Sequence, residues 1–159
     1  MNSPHTWARV GLLTIAGLLL LNIPGRSQLP ARDPRASMKA VAETSLLMKG
    51  IHSPNFRGLE RLLKTKPDSK EAWEFAKGRA LLIAEGANLL LLRPPEKDGR
   101  VVWTQRSVEL RVSATVLAKF IAQEDHPRSR SGLIRVSKVC NRCHVNFRVT
   151  ERLTPFATE

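Results

Sequence analysis

Both cysteines of the chain and one of its four histidines lie within five consecutive residues, Cys140-Asn141-Arg142-Cys143-His144. In a helix, residues three and four apart lie on one face, so both thiols and the imidazole would project from the same side. This spacing is typical of covalent haem attachment, in which the thiols form thioethers and the histidine binds the iron. The pentapeptide therefore predicts one covalently bound haem c, with Cys140 and Cys143 as attachment positions and His144 as an iron ligand.

Two other uses of the same residues have to be weighed. A redox dithiol is expected at a helix N-terminus after a strand, and no such strand is predicted here. A structural zinc site needs a fourth ligand, whereas the remaining histidines, His5, His52 and His126, are scattered singly along the chain. Haem attachment is the favoured interpretation.

The N-terminus has the layout of a secretory signal peptide. A weakly basic start is followed by an apolar run over residues 10–23 and by small residues at Gly25 and Ser27. Because the run is shorter than the roughly 20 residues that a spanning helix needs, an uncleaved membrane anchor is the less favoured alternative. Residues 1–27 are thus predicted to be the signal, and the mature protein to be periplasmic, where bacteria attach haem c.

The chain is strongly basic, with a formal charge of +12 from 26 basic and 14 acidic residues. Such a balance suits acidic proteins, anionic lipid headgroups or nucleic acid, although a solvated surface without such a role is the safer interpretation. The basic residues are spread over every segment, and no motif interleaves them with aromatic residues as single-strand binders do. We therefore expect redox partner proteins with acidic surfaces and no nucleic acid. Membrane contact is expected only if the signal segment is retained.

Apolar residues recur at helical spacing through the rest of the chain, and no segment shows the period of two that a strand would. Residues 28–33 are predicted as a tether, residues 34–149 as one helical domain and residues 150–159 as a loose tail. The predicted helices are A from Pro34 to Gly50, capped by Asp33, B from Lys70 to Leu92, C from Val102 to Gln123 and D from Ser129 to Val149, with a short extra helix within residues 51–69.

Four helices joined mostly by short connections predict an all-α, antiparallel up-and-down four-helix bundle with the haem on its last helix. In this arrangement the end of helix D lies beside the start of helix A, where Met38 is placed. Met48 lies about 15 Å further along the helix axis and would belong to the other end of the bundle.

These features resemble the class II c-type cytochromes, meaning cytochrome c-prime and its methionine-ligated relatives. The resemblance covers roughly residues 34–149. It rests on the Cys-x-x-Cys-His motif on the last helix with Phe147-Arg148 after it, on Ser37-Met38-Lys39-Ala40, and on residues 84–90. It implies a periplasmic haem protein with His144 as axial ligand. Dimerisation through the first two helices is common among these relatives, so the resemblance also suggests a homodimer.

Topology and resemblance together indicate further haem-contacting residues. The methionine-ligated relatives use a methionine at the position that Met38 resembles, so Met38 is the predicted sixth ligand of the iron. Core packing is the usual role of such a methionine. The same topology predicts Leu90, Leu91 and Trp103 as walls of the haem pocket, and Arg142 and Arg148 as partners of the haem propionates.

The predicted function is one-electron transfer by a mono-haem cytochrome, which needs no catalytic side chains. The alternative is a five-coordinate haem that binds NO or CO, as in cytochrome c-prime, in which Met38 would only pack. A peroxidase would require a distal histidine or another acid–base pair above the iron, and the predicted helix A offers neither. We therefore do not expect an enzyme.

Overall fold

The computed structural model describes residues 38–157, so the predicted signal and tether lie outside the described residues. The described part is all-helical, with four helices and no β-strand. The first helix, α1, is composite: α-helical over Thr44–Leu47, π-helical over Met48–His52 and α-helical again over Ser53–Leu62. The others are α2 (Lys70–Leu91), α3 (Arg100–Ala122) and α4 (His126–Asn146).

The prediction for the first helix was wrong at both ends. Residues 38–43 are not helical, and the helix continues through Gly50, the predicted stop. Gly50 lies in the π-helical turn, where a glycine costs stability without ending the helix. Pro54 follows in the first turn of the next α-helical section, where its missing N–H is tolerated. The predicted short helix within residues 51–69 is therefore the second half of α1.

The other three helices agree with the sequence pattern to within a few residues. Ser69 caps α2 by accepting a hydrogen bond from the Ala72 amide, at 3.2 Å. The last helix begins before the predicted Ser129, because Asp125 caps it through the Arg128 amide at 2.9 Å. Pro127 then occupies the first turn rather than breaking the chain.

The helices pack around one cluster of apolar side chains. The middle of the cluster consists of fully buried aliphatic residues from all four helices, including Leu59, Ile83, Leu117 and Leu133. Helix α3 packs against both α2 and α4, and α1 packs mainly against α2. Within residues 38–157, no helix is both long enough and apolar enough to cross a bilayer.

The segment after α4 differs from the loose tail that was predicted. The Phe156 amide donates to the Glu60 carboxylate at 2.9 Å, and the Arg130 guanidinium lies 3.7 Å from the centroid of the Phe156 ring. These contacts fix residues up to 157 against α1 and α4. The segment was predicted to be loose because neither contact leaves a periodic pattern in the sequence.

Arg148 ends α4 in a conformation that favours glycine. Its φ is +57°, and the Val149 amide closes the helix on the His144 carbonyl at 2.8 Å. We expect Arg148→Gly to raise the free energy of unfolding by about 1 kcal/mol, because the left-handed conformation costs an L-residue this much. Urea unfolding measures the change. Arg152→Gly, at a position without positive φ, should give no gain, and equal effects of the two changes would contradict this explanation.

Candidate functional site

A cavity of about 310 Å³ lies among the helices and is the candidate functional site. All four helices and the C-terminal segment contribute to its lining, and most of the lining surface is apolar. The apolar walls include Phe56, Ile83, Leu90, Leu110 and Val136. Its volume lies at the lower end of the range for small-molecule sites, about 300–1,000 Å³.

The attachment motif faces this cavity. Cys140, Cys143 and His144 all line it from the last turns of α4, as their helical spacing predicted. Both thiols are free and partly exposed. Burial raises the pKa of Cys140 to about 12 and also raises the pKa of Cys143. A redox dithiol depends on a lowered thiol pKa, so this setting disfavours the dithiol interpretation.

The C-terminal segment orients the His144 ring. Nδ1 of His144 lies 2.9 Å from the carbonyl oxygen of Glu151. A carbonyl oxygen can only accept a hydrogen bond, so this contact assigns a proton to Nδ1; in the neutral tautomer with that proton, Nε2 has a free lone pair. A histidine that binds a metal through one nitrogen usually donates its other N–H to a carbonyl or carboxylate. The Glu151 contact thus favours the tautomer that iron binding through Nε2 requires.

The structure brings Met48 to the cavity and leaves Met38 outside it. Met38 lies in the non-helical segment before α1 and is 55% exposed, and it is not among the described residues that line the cavity. Met48 is partly buried, opens the π-helical turn and lines the cavity with the motif. The reasoning that placed Met48 at the far end was wrong because α1 begins at Thr44 rather than at Pro34.

Of the three predicted pocket walls, only Leu90 lines the cavity among the described residues. Trp103 is buried nearby, but its indole N–H donates to the Leu90 carbonyl at 2.7 Å and its ring meets Phe147 edge-on, with centroids 5.1 Å apart. Trp103 therefore packs behind the wall. Leu91 is half-buried and is also not part of the described lining.

The two predicted propionate partners lie outside the lining. Arg142 is exposed and pairs with Glu109 at 3.2 Å, while Arg148 is exposed beyond the end of α4. Glu109 also accepts from Arg106 at 2.6 Å, and this hydrogen bond is the main reason that the pKa of Glu109 is lowered. The sequence argument chose the arginines nearest to the motif along the chain, whereas the cations of the cavity come from other helices.

Three basic residues do line the cavity, namely Lys49, Arg57 and Arg106. Lys49 and Arg57 come from α1, and Arg106 comes from α3. Nothing in the local sequence marks them, because their proximity to the motif depends on how the helices pack. Because Arg106 is already paired with Glu109, Lys49 and Arg57 are the positive charges that this site offers to an anionic group.

A buried histidine also borders the cavity, and the sequence argument did not use it. His52 ends the π-helical turn, is 8% exposed and has no hydrogen-bond partner for Nε2 among the described residues. A Cβ on Gly86 would lie 2.7 Å from this nitrogen, so the ring packs directly on the α2 backbone. Burial lowers the pKa of His52 to about 4, which keeps the ring neutral at pH 7.

This burial predicts an acid-sensitive fold. The pKa of His52 is 6.5 when unfolded and about 4 when folded, so between these values only the unfolded chain takes up the proton. Stability is then complete above pH 6.5 and falls as the pH drops towards 4. From pH 7 to pH 5 we expect this histidine to account for a loss of about 2 kcal/mol. Urea unfolding at both pH values should show a smaller loss in His52→Leu, and an equal loss in the two proteins would contradict the assignment.

Comparison with protein-family models, curated proteins and solved structures finds no match for this chain. Within residues 38–157, no group of three or more His, Cys, Asp or Glu side chains is arranged to hold a metal ion. A haem iron needs no such group, because it takes only its axial ligands from the protein.

Proposed function

We propose that the chain is an exported mono-haem c-type cytochrome that carries single electrons. The observation that carries the proposal is that both thiols and the imidazole of the motif line one apolar cavity to which α1 adds a methionine. Haem c, when bound, supplies a one-electron ferric–ferrous couple. Cys140 and Cys143 would hold it by thioethers, and His144 would bind its iron.

Met48 is the methionine that the cavity offers as the second iron ligand, in place of Met38. A thioether ligand favours ferrous iron and so raises the reduction potential. The apolar walls would shield the haem, and Lys49 and Arg57 would offset the charge of the two propionates, since Arg106 is already paired with Glu109. These side chains bind, orient and shield, and electron transfer asks nothing more of them.

The proposal includes the antiparallel arrangement of the helices. The connections between α2 and α3 and between α3 and α4 are short, as they are between antiparallel neighbours. Contacts support it as well, since Arg106 near the start of α3 donates to Asn146 at the end of α4, at 3.1 Å. This arrangement would bring the motif beside the end of α2 and the start of α3.

Binding of a small gas at a five-coordinate haem is the second candidate function. The apolar lining favours it, because NO and CO need space beside the iron rather than polar partners. It requires Met48 to pack without binding the iron. Peroxidase chemistry is disfavoured even though His52 borders the cavity, since Nε2 is closed off against Gly86 and is not open to proton exchange.

We also propose that the protein works in the cell envelope and that its redox partners have acidic surfaces. The basic residues at the cavity would attract such partners and speed their encounter. A homodimer remains part of the hypothesis through the resemblance alone.

Absorption spectra of the purified protein test this proposal. A carrier with two axial ligands should be low-spin in both oxidation states, with a weak ferric band at the red end that indicates methionine ligation, and should not bind CO. A high-spin spectrum with ready CO binding would favour the gas-binding function. A protein without haem after expression with a haem-attachment system would refute both.

A further inference from the structure

The side chain of Asn141, inside the attachment motif, is paired with the chain that returns after α4. Its Nδ2 donates to the Leu153 carbonyl at 2.9 Å, and its Oδ1 accepts from the Leu153 amide, also at 2.9 Å. Both polar atoms of one side chain are therefore used on one backbone residue. This reciprocal pair fixes the position of Leu153 along α4.

The two hydrogen bonds between Asn141 and Leu153, called the Leu153 clamp below, hold the carbonyl that orients His144. Glu151 lies two residues before Leu153, and its carbonyl oxygen is the partner of His144 Nδ1 at 2.9 Å. Both Glu151 and Leu153 also line the cavity. Further along, the Phe156 amide is held by Glu60, so the segment is fixed on both sides of residue 154.

We propose that Asn141 is a positioning residue for His144, acting through the Leu153 clamp to hold the Glu151 carbonyl on Nδ1. The inference rests on the proposed function, in which His144 binds the haem iron. Asn141 itself does not touch His144 through any hydrogen bond of the described structure; it acts on the segment that does.

The consequence is electronic as well as geometric. A carbonyl that accepts the Nδ1 proton makes the imidazole a stronger donor through Nε2 and fixes the plane of the ring. A stronger donor stabilises ferric iron relative to ferrous iron and lowers the reduction potential. The clamp would therefore lower the reduction potential, which a methionine ligand raises, and the potential would depend on the balance of these two effects.

Two variants weaken the hydrogen bond between His144 Nδ1 and the Glu151 carbonyl by different routes. Asn141→Ala removes both hydrogen bonds of the clamp, and Leu153→Pro removes the amide that donates to Asn141 Oδ1 while the chain keeps its full length. Each should shift the ferric-to-ferrous ratio at a fixed applied potential about tenfold towards ferrous protein, which is about 59 mV for one electron. Because both act on one contact, Asn141→Ala should add nothing in the Leu153→Pro protein.

Asn88→Ala is the matched control. Asn88 also uses both side-chain atoms, donating to Glu85 at 3.2 Å and accepting from Arg111 at 3.1 Å, but it does not line the cavity as described. Its replacement should leave the potential unchanged. An equal shift in Asn88→Ala and Asn141→Ala would overturn the proposal, as would a shift on adding Asn141→Ala to Leu153→Pro as large as in the parent.

Nitrogen NMR of His144 tests the same contact independently of the potential. In the parent, Nδ1 should be protonated and its N–H slow to exchange, and Asn141→Ala should make that exchange fast. The measurement applies to the purified chain with or without haem, so absence of covalent haem would refute the proposed function alone. A His144 whose Nδ1 signal does not respond to Asn141→Ala would refute the positioning role.

Discussion

Replacement of both Cys140 and Cys143 by alanine is expected to abolish all haem that survives acid–acetone extraction. These are the only cysteines of the chain, and both line the same cavity, so no other residue can form a thioether. Each single replacement should leave haem attached by one bond and shift the absorption maxima. Haem staining of the denatured protein measures the loss.

Ser107→Ala is the matched control for the cysteine variant. Ser107 is a small, buried residue of α3 that lines the same cavity, and its replacement by alanine likewise removes one polar heavy atom from the cavity wall. Covalent haem should be retained in Ser107→Ala. Covalent haem retained in the doubly substituted protein would refute the attachment sites, and loss in the control would point to a general collapse of the cavity.

Met48→Leu is expected to convert a low-spin protein into a high-spin, CO-binding form with a lower reduction potential. Leucine keeps the side-chain volume, so the packing cost should stay below about 1.5 kcal/mol, and a larger spectral change can be assigned to the iron. Methionine ligation favours the ferrous state, which is why its loss lowers the potential. Absorption spectra with and without CO, together with a redox titration, measure the effect.

Met38→Leu provides the comparison, because Met38 was the ligand predicted from the sequence. It is 55% exposed in the segment before α1, so its replacement should change neither spin state nor potential. The reverse outcome, with Met38→Leu altering the spectrum and Met48→Leu silent, would restore the sequence-based assignment. If both proteins keep the parent's spectrum, the methionine-ligated hypothesis fails.

The last three helices could be predicted because local signals agree with packing there. In α2, a Ser69 cap precedes a long apolar stripe, and the Pro94-Pro95 pair follows it. Helices α3 and α4 likewise have buried apolar residues at helical spacing, from Trp103 to Ile121 in α3 and from Leu133 to Val139 in α4. When stop signals and buried periodicity coincide, the sequence alone determines the element.

The first helix could not be predicted, because packing overrides its local signals. Gly50 and Pro54 are ordinary helix stops, but the π-helical turn shifts the hydrogen-bond register between them, and Phe56 and Leu59 beyond it are buried in the core. Conversely, Val41 continues the apolar spacing towards the N-terminus but is 97% exposed. Apolar spacing predicts an apolar helical face, but it does not show whether another helix packs against that face.

The candidate site likewise has residues that could be predicted from the sequence and residues that could not. Its three chemical residues lie on one helical face, so their spacing located them. The positions of Met48 and His52 at the cavity depend on where α1 begins and how far it continues. Because the bounds of this helix were predicted wrongly, Met48 was placed at the opposite end of the bundle and His52 was not recognised as a cavity residue. The Glu151 carbonyl is a backbone atom in a segment without periodicity, and no sequence pattern marks such a partner.

Peptide mapping of the purified, exported protein tests the central claim most directly. After digestion, the peptide that contains Cys140 to His144 should carry the mass of one haem, and fragmentation should place both thioethers on its two cysteines. Recovery of this peptide with two free thiols, or with a disulfide between them, from protein expressed with a haem-attachment system would contradict the account.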